Sequence, residues 1–116
     1  MQYLALIYGE EGRWAGLSPE QRESEMSEYT ALSQAPVTRG GSELDEVATA
    51  TTVRVRNDET LVTDGPFAEL KESIGGYYVF ECASIDEACT WAAKIPAARH
   101  GAVEVRPVHV DGGEPS

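Results

Sequence analysis

Asp64 ends an apolar run, Leu61-Val62-Thr63, and is followed at once by Gly65-Pro66-Phe67. A carboxylate at a strand end beside an aromatic ring has the chemistry of a general base, because burial raises its pKa toward neutrality. The same residue type starts turns, where its side chain bonds a backbone N–H two residues on and a proline fixes φ. The residues alone leave both readings open. His100, in the run Ala98-Arg99-His100-Gly101, is the better placed of two histidines and the natural partner for Asp64 or for an anionic ligand. Arg99 beside it offers a fork for a carboxylate, and Lys71 offers counter-charge for a bound acid. Gly65, Pro66 and Phe67, with Tyr8 and Tyr78, would form the walls of a ligand site, and Tyr77 either packs or lines the same cavity. The alternatives are a solvated turn histidine at His100 and a solvated charged face over Glu69, Lys71 and Glu72. His109 reads as structural or exposed.

Other chemistries find no support in the spacing. Two histidines far apart, without a nearby acidic triad, give no metal-ligand pattern. No glycine-rich phosphate loop is present, and no Gly-x-Ser-x-Gly or Cys–His pattern supports covalent catalysis. The expectation is a site without cofactor or metal. Cys82 and Cys89 lack a redox spacing and are expected as reduced, buried thiols.

These side chains need elements to hold them. Tyr3 to Tyr8 predicts a first strand, apolar on both faces. Ser18-Pro19-Glu20-Gln21 supplies an N-cap, a proline at the first helical position and a capping-box glutamine, so a helix should run from about Pro19 to Ser33. Its apolar face is thin: Met26, Tyr29 and Leu32, with Ala31 beside them. Val37 to Leu44 contains Gly40-Gly41 and predicts a weak, bulged or edge strand. Thr49 to Arg56 alternates cleanly, Asn57-Asp58 turns the chain, and Thr60 to Thr63 returns. Gly76 to Cys82 is a strong strand, again apolar on both faces. Ser84-Ile85-Asp86-Glu87 opens a second helix with Ile85, Ala88, Ala92 and Ile95 on one face, stopped by Pro96. Ala102 to Val110 is the last strand.

This order predicts an α+β, ferredoxin-like domain over residues 1–110, with two helices on one face of an antiparallel sheet, followed by a flexible polar tail over 111–116. Strands apolar on both faces need cover on the side without helices, and a second copy of the chain supplies it most simply, as a two-fold homodimer packed sheet to sheet. The competing cover is a bulky loop such as the one carrying Trp14.

A chain of 116 residues is one domain with a core of its own. Its formal net charge of −11 disfavours nucleic acid and anionic membrane surfaces as partners. No apolar run is long enough to cross a membrane, and the apolar N-terminus lacks a basic leader, so a cytoplasmic location is expected.

The run Asp64-Gly65-Pro66-Phe67-Ala68-Glu69-Leu70-Lys71-Glu72, followed by Gly75-Gly76-Tyr77-Tyr78, resembles the signature of DGPF-domain proteins of the YCII-related (YciI-like) family. The opening YLALIYGE, the strand TATTVRVR and the ending AAKIPAARHGAVEVRPV are similar to it as well. The resemblance implies a dimeric α/β-barrel of ferredoxin-like protomers. For function it implies an uncharacterised small-molecule-binding protein or cofactor-independent enzyme, of isomerase- or lyase-like proton-transfer type, acting on a small acidic or aromatic ligand. It would use an Asp-based acid/base site in an inter-sheet cleft. It also suggests an alternative, a non-catalytic regulatory or partner-binding module linked to extracytoplasmic-function sigma-factor signalling. The chain departs from YciI-like relatives on the first helix, where their proposed histidine is missing and Tyr29 stands at about that place. Of an Asp–His pair, only Asp64 matches a motif position.

Overall fold

A computed structural model describes residues 1–109 of the chain. Four strands form one antiparallel sheet in the order β2-β5-β1-β6, built from β1 (Gln2–Gly9), β2 (Thr38–Glu43), β5 (Ser73–Glu81) and β6 (Ala102–Pro107). The remaining strands, β3 (Thr51–Arg56) and β4 (Glu59–Asp64), pair only with each other. Setting that hairpin aside, the connectivity is β-α-β-β-α-β, with α1 (Pro19–Gln34) and α2 (Ile85–Ala92) as the two helices. The expected tail over 111–116, and the expected end of the last strand at Val110, lie outside the described residues.

Local sequence explains the elements. Ser18 caps α1 through the full capping box with Gln21, and Pro19 occupies the first turn. At α2, Ser84 Oγ accepts from the Glu87 backbone N–H, while the Glu87 carboxylate reaches one residue further back to the N–H of Ala83. β2 is an edge strand, with an irregularity between Thr38 and Gly40, as its paired glycines predict.

Alternation then sorts side chains between two faces. Tyr3 and Ala5 of β1, Tyr78 and Phe80 of β5, and Val103 and Val105 of β6 point at the helices. There they meet Leu32, Ala88, Ala92 and Ile95, which closes the core. Met26, expected on the apolar face of α1, is 51% exposed. The inward face is Glu25, Tyr29 and Leu32, spaced at i, i+4 and i+7. Leu4, Leu6, Tyr8, Tyr77 and Val79 lie on the opposite face, where no helix packs. The Trp14 loop is held to α1, and its Glu10 and Glu11 reach Lys71 and the Val47 N–H. Arg13 forms a two-pronged pair with Glu25, and Arg22 donates to the carbonyls of Trp14 and Ala15.

The β3–β4 hairpin was expected within the run of strands and stands as a separate two-stranded arm. Its turn residues Asn57 and Asp58 both have positive φ, 52° and 64°, the geometry of a tight two-residue hairpin. Among the described residues no other helix or strand packs substantially against it. The radius of gyration is 16.2 Å, against about 13 Å for a compact domain of similar size. Among the described residues no helix is long and apolar enough to cross a membrane.

Candidate functional site

Asp64 is the last residue of the arm, opposite Thr51. It is exposed, and among the described residues its carboxylate makes no hydrogen bond or ion pair. The turn after it is held by other atoms. Gly65 has a φ of 101°, its N–H donates to Ala50 O at 2.7 Å, and its carbonyl accepts from Thr52 Oγ1 at 2.8 Å. The glycine is therefore required by a left-handed backbone. Phe67 is 76% exposed and lies under the Arg54 guanidinium, 5.0 Å from ring centre to cation.

The chain after the motif turns back to the sheet. Ser73 pairs with Gly9, and Tyr8 pairs with both Ile74 and Ala102. One end of the sheet thus gathers three segments: the loop leaving β1, the stretch 65–72 entering β5, and the His100-Gly101 turn entering β6. Gly101 fits there only without a side chain. A Cβ would run into the Tyr8 carbonyl oxygen and stand 3.2 Å from Glu72 Oε2. A shallow cleft of about 550 Å³ lies along the motif segment, lined by Glu10, Glu11, Pro66, Glu69, Leu70 and Lys71 among others. Lys71 stands 3.7 Å from Glu10 and is largely solvated.

His100 lies at the surface of this end. Its pKa is drawn below the ordinary imidazole value by partial desolvation, and by the charges of Arg13 and Arg99, with Glu25 and Glu72 opposing. Behind it, Glu25 is a buried carboxylate, 8% exposed, bound by Arg13 at 2.7 and 3.0 Å. The guanidinium bonds hold the Glu25 pKa below the usual carboxylate range against the effect of burial. Burial and the Glu25 charge push the neighbouring Tyr29 phenol up. Arg99 forms its own two-pronged pair with Glu28, at 2.8 and 3.0 Å.

The expected site residues therefore do not form one cluster. Gly65, Pro66, Phe67 and Lys71 stay with the motif segment, and Pro66 and Lys71 line the cleft. His100 and Arg99 sit at the same sheet end, but the fork of Arg99 is occupied by Glu28. Asp64 is not among the charged groups acting on His100; the carboxylates that reach it are Glu25 and Glu72. Tyr8 faces the open side and donates to Glu104 Oε1 at 3.3 Å. Tyr78 faces the other way, 7% exposed, stacked on Phe80 and bonded to the Tyr29 carbonyl. Alternation along β5 gives the open face to Tyr77 instead. His109 is exposed. Cys82 is buried as expected, while Cys89 is exposed, a correction to the expected burial of both thiols. Sequence reasoning missed Glu25, although its spacing from Tyr29 and Leu32 put it on their face.

A family model described as the YCII-related domain matches residues 1–110. The chain belongs to the YCII-related family. It is also 37% identical over 114 residues to an uncharacterized protein of Rhizobium meliloti (strain 1021), covering 93% of this chain and 92% of that one. The resemblance read from the motif run thus holds across the whole domain. Neither similarity names a substrate, and the chemistry has to be argued from the site.

Proposed function

We propose that this YCII-related protein is a homodimer that binds a small organic molecule at the shared sheet end, with His100 as its acid/base group and no cofactor. What supports the reading is an accessible imidazole, its pKa drawn below the ordinary value, near a cleft walled by the motif segment: Glu72, whose charge acts on His100, stands between Lys71 and Ser73 of the cleft wall. A neutral imidazole at a surface accepts a proton, and the Glu25 and Glu72 charges behind it stabilise the cation that results. Lys71 gives the mouth a cation suited to a carboxylate or enolate oxygen. The reaction class is proton transfer, as in isomerisation or lactone chemistry. Asp64, the motif acid, has no place in this site within one protomer, and would enter only across a dimer interface.

The dimer reading rests on the open face. Leu4, Leu6, Tyr77 and Val79 form an apolar strip, and a second copy covers it by a two-fold contact. The test of binding is an NMR titration with small carboxylic acids and lactones. Ligands are expected to shift signals of residues 8–11, 66–73 and 99–101, and His100→Gln should weaken binding at least tenfold. Ligands that shift none of these signals, or that bind the variant as well as wild type, overturn the reading.

A second reading is a regulatory or partner-binding module, and the exposed valines of the arm favour it. Under that reading the motif is a rigid scaffold, and no small acid or lactone shifts the sheet-end signals.

A further inference from the structure

Four charged groups act on His100. Arg13 stands in the loop after β1, Glu25 in α1, Arg99 is the chain neighbour of His100, and Glu72 ends the motif run just before β5. Three of the four are already spent. Arg13 and Glu25 hold each other through two hydrogen bonds, at 3.0 and 2.7 Å, and Arg99 does the same with Glu28. Glu72 is the exception. Among the described residues its carboxylate makes no hydrogen bond and no ion pair. It is half-buried, so salt screens its charge less than that of a fully solvated carboxylate. Its place follows from the sheet. Ser73 pairs with Gly9 and Ala102 pairs with Tyr8, so the residues before them, Glu72 and Gly101, meet at one strand end. Glu72 Oε2 lies 3.2 Å from the point where a Cβ of Gly101 would stand, one residue from His100. A glycine there leaves the carboxylate room over the turn. The His100 side chain makes no hydrogen bond among the described residues, so its ring is free to donate one.

We propose that Glu72 is the positioning residue of His100: its carboxylate receives a ring N–H of the imidazolium and holds the ring while His100 carries a ligand's proton. This rests on the reading of His100 as the acid/base group and names the residue that group works with. When a C–H bond of the ligand breaks, its electron pair stays on the ligand as an enolate and the proton goes to a ring nitrogen of His100. The cation so formed stands near two guanidinium groups, each tied to its own carboxylate, and near one carboxylate with both oxygens open. A charge-assisted hydrogen bond to that carboxylate fixes the ring and leaves the other nitrogen to the ligand. The proton then returns to a different atom of the same ligand, and Glu72 stays ionised throughout. Glu25 does not fill this role. Both of its oxygens are bound to Arg13, and withdrawing them would break the ion pair of a buried carboxylate.

The test is made without ligand, which separates it from the ligand reading. The ring signals of His100 are followed by NMR against pH in wild type, Glu72→Gln, Glu72→Ala and Glu72→Asp. His109, beyond the opposite end of β6, is the reference in every spectrum. Glu72→Gln and Glu72→Ala should each weaken proton binding by His100 about threefold with the His109 signals unmoved, and Glu72→Asp should recover part of the loss. In acid, the wild-type imidazolium should show a hydrogen-bonded ring N–H proton shifted downfield, which Glu72→Ala loses to solvent exchange. A His100 titration that is unchanged in the folded variants overturns the proposal and leaves Glu25 as the carboxylate acting on the ring. Weaker proton binding in the variants, with no such N–H proton in wild type, also overturns it, because charge then acts at a distance without holding the ring. Should one variant fail to fold, the other two decide. A wild type that binds no small acid or lactone, with the titration and the N–H proton as expected, overturns the ligand reading and leaves Glu72 as the partner of the ring.

Discussion

Arg13 and Glu25 set the electrostatics of the sheet end, and both can be tested singly. Removing the guanidinium leaves a buried carboxylate alone, so Arg13→Ala should cost about 3 kcal/mol in denaturant unfolding. It should also raise the His100 pKa, because a repelling cation is gone and Glu25 still attracts the proton. The change is read from the imidazole proton shifts. The linkage signs differ for the two groups. Glu25 has a depressed folded pKa, so its contribution is present above the unfolded carboxylate pKa of about 4.3 and is lost as pH falls through the folded value. His100 also has a depressed pKa, but here the charged form is the disfavoured one. Wild type therefore loses stability as pH falls from about 6.5 through the folded value, and Arg13→Ala should flatten that loss. The thiols divide by burial: Cys89 should react with a thiol reagent in the folded protein, and Cys82, its pKa raised mainly by burial, only on unfolding.

At the level of elements, two glycine-related positions carry opposite expectations. Gly101→Ala drives a methyl into the Tyr8 carbonyl and should cost about 3 kcal/mol, seen as a lower denaturant midpoint. Asp58→Gly relieves a left-handed aspartate in the hairpin turn, a gain of about 0.5–1 kcal/mol, and should slow hydrogen exchange of the arm amides two- to fivefold. Much of this layer was legible in the sequence. Capping residues, strand alternation and the glycine pair of an edge strand act within a few residues, and most elements formed where those signals stood, although α2 ends at Ala92, short of Pro96, with Ile85 exposed, and β5 begins earlier, at Ser73. What was not legible depends on distant neighbours. Alternation in Thr51–Arg56 announces a strand but does not say which sheet it joins. Tyr77 and Tyr78 are alike in chemistry, and only the register with β1 decides which one is buried. Glu25 reads as a solvated helix charge until Arg13, twelve positions earlier, folds onto it. Asp64 and His100 looked like partners because both are titratable, yet the topology gives His100 to the sheet end and Asp64 to the foot of the arm.

The molecule as a whole is acidic and flat, with extents of 49 × 40 × 19 Å. Two copies of net charge −11 repel each other, and salt screens that repulsion within about 10 Å at 0.1 M. Dimerisation should therefore tighten as sodium chloride rises from 20 mM to 200 mM, measured by sedimentation equilibrium. A fall in affinity over the same range would overturn that expectation. The detached arm also has a kinetic meaning. A newly made chain carries a valine-faced hairpin whose outer edges pair with no other strand among the described residues, a surface that sticks to like surfaces indiscriminately. Productive pairing and clumping then compete for the same chains, and both accelerate with concentration. Mutual repulsion slows every encounter, but the ordered contact needs one partner and the disordered one needs many. In the proposed dimer, the acidity that weakens the pair protects the separate chains, and a variant with fewer carboxylates should give a lower yield of soluble protein on refolding.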